Sequence, residues 1–420
     1  MAGLSLRRNF VWTLAGNVVY AVCLWAQLAV LTKLGAPAIV GRFALASAVA
    51  TPAFTFAQLQ LRAVLAADAR GTYEFRDYLG VRLVLMLPSL LVAVVVGVCA
   101  YDRVQAAAII LFACGRVIES ISDIYYGYQQ LHERLDLVAS SMIVKGLAAL
   151  AAFGGVFALT GSLTWGLAAN ALAWLVPLLA LDIRRTRALA RRAGNVDVRP
   201  RWRWSVARPL MMMALPMGLV MLAIQMRVTI PRTLLEAHRS ERELGLFSAL
   251  AYLAVAGATI VQSLSQASLA RLGQYCADRR VDLVRRLITR MMLMGVALGG
   301  GGVLVAWLAG APLLRLLYSA EYAGQGRLLV LIMTDGGVLY LASLLGAPAT
   351  AMRLFRGQLV VHGSSVAVLA GAGFLLIPRL GMQGAALTML VGSLWVTAGY
   401  IWLVRRGLRV MAAGVASGGA

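Results

Sequence analysis

The sequence predicts an all-α membrane protein of about twelve transmembrane helices, arranged as two six-helix lobes related by a parallel internal repeat around a central cavity. Three observations carry this. Hydrophobic residues make up 61% and charged residues only 13% of the 420-residue chain, a balance far more apolar than a soluble core requires. Apolar stretches of roughly 20 residues, each enough for a helix to cross a hydrocarbon layer about 30 Å thick, recur along the whole length. Finally, short similar segments return at equivalent places in the two halves.

Apolar windows and their polar punctuation place the spans near residues 10–32, 38–64, 79–101, 104–128, 137–160 and 163–183, then 209–235, 245–270, 287–310, 326–350, 356–378 and 381–405. The first apolar run follows Arg7 and Arg8 and precedes Ala36-Pro37-Ala38, as a signal peptide might. It outruns the 7 to 15 residues typical of a signal core, and another span follows at once, so a retained first helix is expected. The chain divides into lobes at 1–183 and 209–420, joined by a basic cytoplasmic segment at 184–208.

The net charge of +22 sits in short segments between the spans rather than on a soluble surface. With the N-terminus inside, the cytoplasmic segments hold Arg70, Arg76, Arg82, Arg134, the arginines of 184–208 and 271–290, Arg353, Arg356, Arg405, Arg406 and Arg409, and the opposite loops hold few. This asymmetry places both termini in the cytoplasm. Segment 184–208 interleaves its arginines with Trp202 and Trp204, which suits an interfacial linker against anionic membrane lipids and needs no nucleic acid. Residues 277–288 read as a basic amphipathic surface helix, with Ala277, Val281, Val284 and Ile288 toward the acyl boundary.

The repeat is seen where Gly41-Arg42-Phe43-Ala44-Leu45-Ala46 enters the second span and Gly245-Leu246-Phe247-Ser248-Ala249-Leu250 enters the eighth, an offset of 204 residues that also lays Gln58 over Gln262. Gly166-Leu167-Ala168-Ala169 and Gly384-Ala385-Ala386 open the last span of each half. Parallel repeats of this kind build transporters whose site lies between two lobes.

Ionisable residues at membrane depth are costly and usually face a bundle interior or an aqueous cavity. The fourth span carries Arg116, Glu119 and Asp123 on one helical face, continued by Tyr126 and Gln130, and the fifth adds Lys145. Two readings stand. Either Arg116 pairs with Glu119 and Asp123 with Lys145 to let two helices pack, or the cations line a cavity that holds a phosphate or carboxylate while an acid links transport to a cation gradient. In the second half Arg227 lies deep in the seventh span, whereas Arg232, after Pro231, can snorkel. Asp335, before Gly336 and Gly337, is a coupling acid or a hydrogen-bonding residue at a kink. Asn17, Gln58, Gln60, Asn170, Gln262, Gln266 and His362 are expected as interhelical glue. Tyr125, Tyr126 and Tyr128 form an aromatic interface belt or offer rings and hydroxyls to a sugar.

The four cysteines have no metal or disulfide spacing, so neither is expected, and no cofactor is implied. There is no G-x-x-x-x-G-K-[ST], H-E-x-x-H or G-x-S-x-G, and no large external loop, so an enzyme is not expected.

Asn17 in the first span, Leu34-Gly35 followed by Gly41-Arg42-Phe43, Gln58-Leu59-Gln60-Leu61-Arg62, and Asp123-Ile124-Tyr125-Tyr126-Gly127 running into Gln129-Gln130 and Glu133-Arg134 resemble the bacterial polysaccharide flippases. These are the O-antigen translocase type within the multidrug/oligosaccharidyl-lipid/polysaccharide exporter superfamily. The resemblance spans nearly the whole chain and is strongest in the first 150 residues. It implies a multi-pass protein of the bacterial inner membrane that carries polyprenyl-diphosphate-linked oligosaccharide from the cytoplasmic to the periplasmic leaflet by alternating access. Arg116, Lys145 and Arg227 would then engage diphosphate or acidic sugar, and Glu119, Asp123 or Asp335 would serve coupling or gating with protons or Na+. A multidrug/cation antiporter of the same superfamily, which favours an acidic aromatic cavity, and a membrane glycan polymerase or ligase are the alternatives.

Overall fold

The computed structural model describes residues 6–68, 72–192, 198–352 and 354–416. Arg70 and Arg353 fall outside them, as do the side chains of Arg7, Gln266 and Ala277. The described residues form helices joined by short turns, and twelve of these helices are long and apolar enough to cross a membrane.

Local chemistry sets the helix boundaries. After α1 (Leu6–Leu34), α2 (Pro37–Ala57) opens on a proline at its first position, where the missing N–H costs nothing. The same span resumes as α3 (Leu61–Ala67) after a break in which Leu59 and Gln60 take positive φ, 46° and 52°. Such backbone is strained for residues with a Cβ and persists only where its surroundings hold it. At α4 (Phe75–Ala100), Glu74 and Asp77 cap reciprocally. The Asp102 carboxylate accepts from the backbone N–H groups of Val104 and Gln105, both at 2.8 Å, and so starts α5 (Arg103–Leu131). α6 (Leu135–Thr160) ends on Gly161 at φ 63°. α7 (Leu163–Pro177) runs through a π-helical turn, Leu178–Asp182, into α8 (Ile183–Arg192). Then come α9 (Trp204–His238), α10 (Glu241–Ala277), α11 (Val281–Leu317), the short α12 (Ala320–Ala323), α13 (Gly326–Ala351), α14 (Phe355–Leu380) and α15 (Met382–Ala416). Gly41 and Gly245 of the repeat occupy matching positions near the starts of α2 and α10.

The chain forms two compact units, Met1–Gln225 and Met226–Ala420. In the first, α5 is the central helix: α2, α3, α4 and α7 pack on it, while α1 packs on α6. In the second, α13 is central, against α10, α11 and α15, and α14 lies on α15.

One stretch differs from the sequence expectation. Residues 277–288 are not a separate surface helix: α10 stops at Ala277, and after Arg279 at φ 52° the remainder forms the first turns of α11. The described residues of 184–208 are held by specific contacts. α8 docks on the first unit through Arg185, which donates to Ser140 Oγ at 2.7 Å, and through a buried bond from Gln129 to Thr186 at 3.0 Å. Further on, Arg201 holds Asp77 with two bonds of 2.9 and 2.8 Å and reaches Glu74 at 3.0 Å. Its backbone N–H also donates to the Arg76 carbonyl at 2.9 Å. Forked charge-assisted pairing of this kind is directional as well as strong. Only glycine permits the approach, because a Cβ at Gly80 would stand 2.0 Å from the Arg201 carbonyl oxygen.

We predict that Gly80→Ala lowers the apparent melting temperature of the detergent-solubilised protein. Gly300→Ala, at a helical glycine with no atom near its missing Cβ, leaves it unchanged or raises it. Equal melting temperatures for the two variants would remove the close-approach argument. Acid should also loosen this strap. Arg76, and then Arg201, hold the Glu74 carboxylate below its ordinary range. A depressed carboxylate contributes stability above the unfolded value and loses it as pH falls through the folded one. Hydrogen exchange at residues 198–203 should therefore quicken below the usual carboxylate range, and modestly, since Glu74 is exposed.

Candidate functional site

The charged face of α5 opens on a cavity of about 160 Å³ inside the first unit, lined by Tyr20, Gln58, Arg62, Arg116, Glu119, Asp123, Tyr126, Met142 and Lys145. The strained break between α2 and α3 delivers two of these. Gln58 donates to Ser120 Oγ at 3.0 Å, and Arg62 donates to Asp123 Oδ1 at 3.2 Å. Gly127 lets α3 come this close, because a Cβ there would lie 3.2 Å from the Arg62 carbonyl oxygen. That requirement accounts for the glycine in the Asp123–Gly127 segment.

Half of the expected pairing is present, and the charged residues line a cavity. Arg116 and Glu119 form a salt bridge, and Tyr20 donates to the other Glu119 oxygen at 3.3 Å. Asp123, however, does not pair with Lys145. Its two oxygens take Arg62 and Arg82, each at 3.2 Å. Arg82, expected among the cytoplasmic positives, is 0% exposed. Lys145 is fully buried, and its Nζ has no hydrogen-bond partner. It lies 5.2 Å from the centre of the Tyr126 ring, with Arg62 Cζ at 5.6 Å from that same ring, a placement that attracts cations through the ring quadrupole. The Tyr126 hydroxyl and Ser141 Oγ are 3.1 Å apart, and Ser141 donates in turn to the buried carboxylate of Asp182. Arg62, Arg82, Arg116 and Lys145 thus gather against Glu119, Asp123 and Asp182. Donors are left over: Arg82 Nε and Nη1, Arg116 Nε and Lys145 Nζ are buried without an acceptor among the described residues. Orphaned donors on buried cations are expensive unless water or an anion meets them.

The tyrosines are not an interface belt. Tyr125 and Tyr128 are buried beside Phe75, with ring centres 5.4 and 4.8 Å away, in a core shared with α8 and the start of α9. Of the expected glue residues, Asn170 accepts from Gln27 at 3.3 Å, Gln58 reaches Ser120, and His362 meets the Tyr400 hydroxyl at 3.0 Å, while Asn17 and Gln262 are exposed.

In the second unit Arg227 meets Asp335 through bonds of 2.6 and 2.5 Å, and Ser393 at 2.8 Å. Ser393 also donates to Asp335 at 2.6 Å. Asp335 is therefore the partner of Arg227 and not a lone residue at a kink. Both side chains are largely buried. Arg232 is half-buried near Tyr252.

Sequence reasoning missed Arg82, Ser141 and Asp182, and gave Arg62 no role. Arg82 lay within the predicted third span and Asp182 at the end of an apolar run, so their depth was the available signal. Among the described residues no group of histidine, cysteine and carboxylate side chains is arranged to hold a metal.

The polysaccharide biosynthesis protein family matches residues 6–275, well over half of the chain. The chain belongs to this family. A curated relative, the capsular polysaccharide biosynthesis protein CapF of Staphylococcus aureus, is 24% identical over 95% of this chain and 99% of its own. Among solved structures, an inward-facing multidrug resistance MATE family transporter of the MOP superfamily covers 98% of this chain and 97% of its own, with a TM-score of 0.67 at 14% identity. A MOP superfamily transporter from Pyrococcus furiosus, described by a binding pocket of reversed polarity, covers 96% and 95% with a TM-score of 0.65 at 13% identity. A mutant of the Vibrio cholerae MATE transporter VcmN covers 96% of each chain with a TM-score of 0.63 at 15% identity. This polysaccharide biosynthesis protein thus has the twelve-span fold of those transporters.

Asp123→Asn should be severely destabilising, by about 3 to 5 kcal/mol, because it strands the buried Arg82 guanidinium. Combining it with Arg82→Met should recover much of the loss. Melting temperatures of the single and double variants measure this, and additive losses would show that the two side chains are not coupled.

Proposed function

We propose that this polysaccharide biosynthesis protein is a flippase that carries a polyprenyl-diphosphate-linked oligosaccharide from the cytoplasmic to the periplasmic leaflet of a bacterial inner membrane. It is a transporter and not an enzyme, with both termini in the cytoplasm. The observation that supports this most is the cavity in the first unit, lined by Lys145 and Arg116, each of which keeps a buried donor without an acceptor among the described residues. An anionic group supplies the acceptors that the protein withholds. A cationic drug would meet the arginines and the lysine first, which disfavours the multidrug antiporter even though transporters of that kind share the fold.

A cavity of about 160 Å³ is below the size of sites that enclose a drug-sized ligand. It takes a phosphate or a carboxylate, not a whole oligosaccharide. Arg116 and Lys145 engage that group, and Arg227 serves as the cation of the second unit once Asp335 releases it. Glu119, Asp123 and Asp335 couple the change: each is bound to an arginine in this state, and protonation or Na+ binding at the carboxylate frees the arginine for substrate.

Expression in the native deletion strain tests this. Wild-type protein should restore the surface glycan and clear the accumulated lipid-linked precursor. Lys145→Gln and Arg116→Gln, expressed and folded, should cut export at least tenfold, the effect of losing roughly one charge-assisted contact. A deletion strain that exports normal glycan and accumulates no precursor would sink the flippase reading and favour the antiporter.

A further inference from the structure

A second concavity, away from Arg227 and Asp335, is a groove of about 1400 Å³ where the ends of α10 and α13 meet the start of α14 and the second half of α15. Met352, Leu354, Val361 and Leu403 form its apolar floor, and Val360, Trp402 and Val410 line it while staying 59 to 68% exposed. A wall that is both apolar and exposed lies open to hydrocarbon. Its polar ends are specific. Arg356, in the first turn of α14, and Arg406, on α15, both line the groove, and Arg406 stacks over Trp402 with Cζ 5.5 Å from the ring centre. Among the described residues lining it there is no carboxylate.

We propose that this groove holds the isoprenoid chain of a polyprenyl phosphate, with the head group on Arg356 and Arg406. The proposal rests on the flippase reading for the identity of the lipid. Charge complementarity argues for this occupant. Two guanidiniums without a facing acid suit a head group carrying about two charges, as a phosphate monoester or a diphosphate does, better than the single charge of a bulk phosphodiester lipid. Stacking on Trp402 leaves the edge N–H groups of Arg406 free to bond the phosphate. The apolar trough next to them offers the chain a protein surface while its exposed side stays in the bilayer, so the lipid need not be extracted from the membrane to be held.

The test uses full-length protein in detergent, titrated with undecaprenyl phosphate and followed by native mass spectrometry. A one-to-one adduct is expected. Arg356→Gln combined with Arg406→Gln should weaken it at least tenfold. Val360→Trp, which fills the trough from an exposed position and leaves packing intact, should weaken it as well, while Gly300→Ala, where nothing lies near the added Cβ, should leave it unchanged. Undecaprenol, which lacks the phosphate, should bind as poorly as undecaprenyl phosphate does to the arginine variant. Displacement by equimolar phosphatidylglycerol would overturn the proposal and make the groove a site for bulk anionic lipid. Wild-type binding by both the arginine and the Val360→Trp variants would overturn it outright. Loss of the adduct in these variants, together with normal glycan export in the deletion strain, would leave the groove standing while the flippase reading fell. The reverse pattern would do the opposite.

Discussion

A guanidinium at membrane depth must be neutralised and hydrogen-bonded, and Arg82 is the most demanding instance here because it has no contact with solvent. Among the described residues its partner is Asp123. Much of the first unit follows from satisfying that pair. Asp123 must sit on a helix that reaches α4, so α5 becomes central. Its second oxygen attracts Arg62, which requires the span to break between α2 and α3 and to accept positive φ at Leu59 and Gln60. Arg62 in turn approaches α5 at a glycine, Gly127, where a Cβ would make a tight contact of 3.2 Å with the Arg62 carbonyl oxygen.

The two units handle buried charge differently. In the second, one arginine, one aspartate and one serine close on each other in a triangle that leaves Arg227 well supplied with acceptors. In the first, basic groups outnumber the carboxylates and several buried donors have no acceptor among the described residues. A closed triangle resists change until an ion or proton competes for its carboxylate, whereas an under-supplied cluster attracts a ligand directly.

The fold was largely legible in the sequence because hydrocarbon imposes long apolar helices and the arginines mark their ends. All twelve predicted spans coincide with helices. What could not be read was the partner of each charge. Spacing put Arg116 and Glu119 together, since a pair three residues apart on a helix needs no tertiary information. Asp123 looked equally suited to Lys145, and the choice of Arg62 and Arg82 depends on how α3 and α4 pack, which one-dimensional spacing does not encode. Arginines near a span end also carry two meanings. Arg201 turned out to lock the backbone and Arg82 to be core, though both had been counted as topology markers. The tyrosine belt failed for a related reason: Phe75, which packs against Tyr125 and Tyr128, is distant in sequence.

The π-helical turn at Leu178–Asp182 sets a register. Its last residue, Asp182, receives Ser141, and three and four residues further on Arg185 and Thr186 engage Ser140 and Gln129. At about 100° per residue, positions three and four apart share a helical face, so one face carries both the buried acid and the docking of α8. The wider turn lies between that face and α7, and the extra residue of a π-bulge rotates everything that follows it. A homologue with a regular helix here would turn the acid and the docking contacts away together, and sequence alignments of the family can be read for their joint loss.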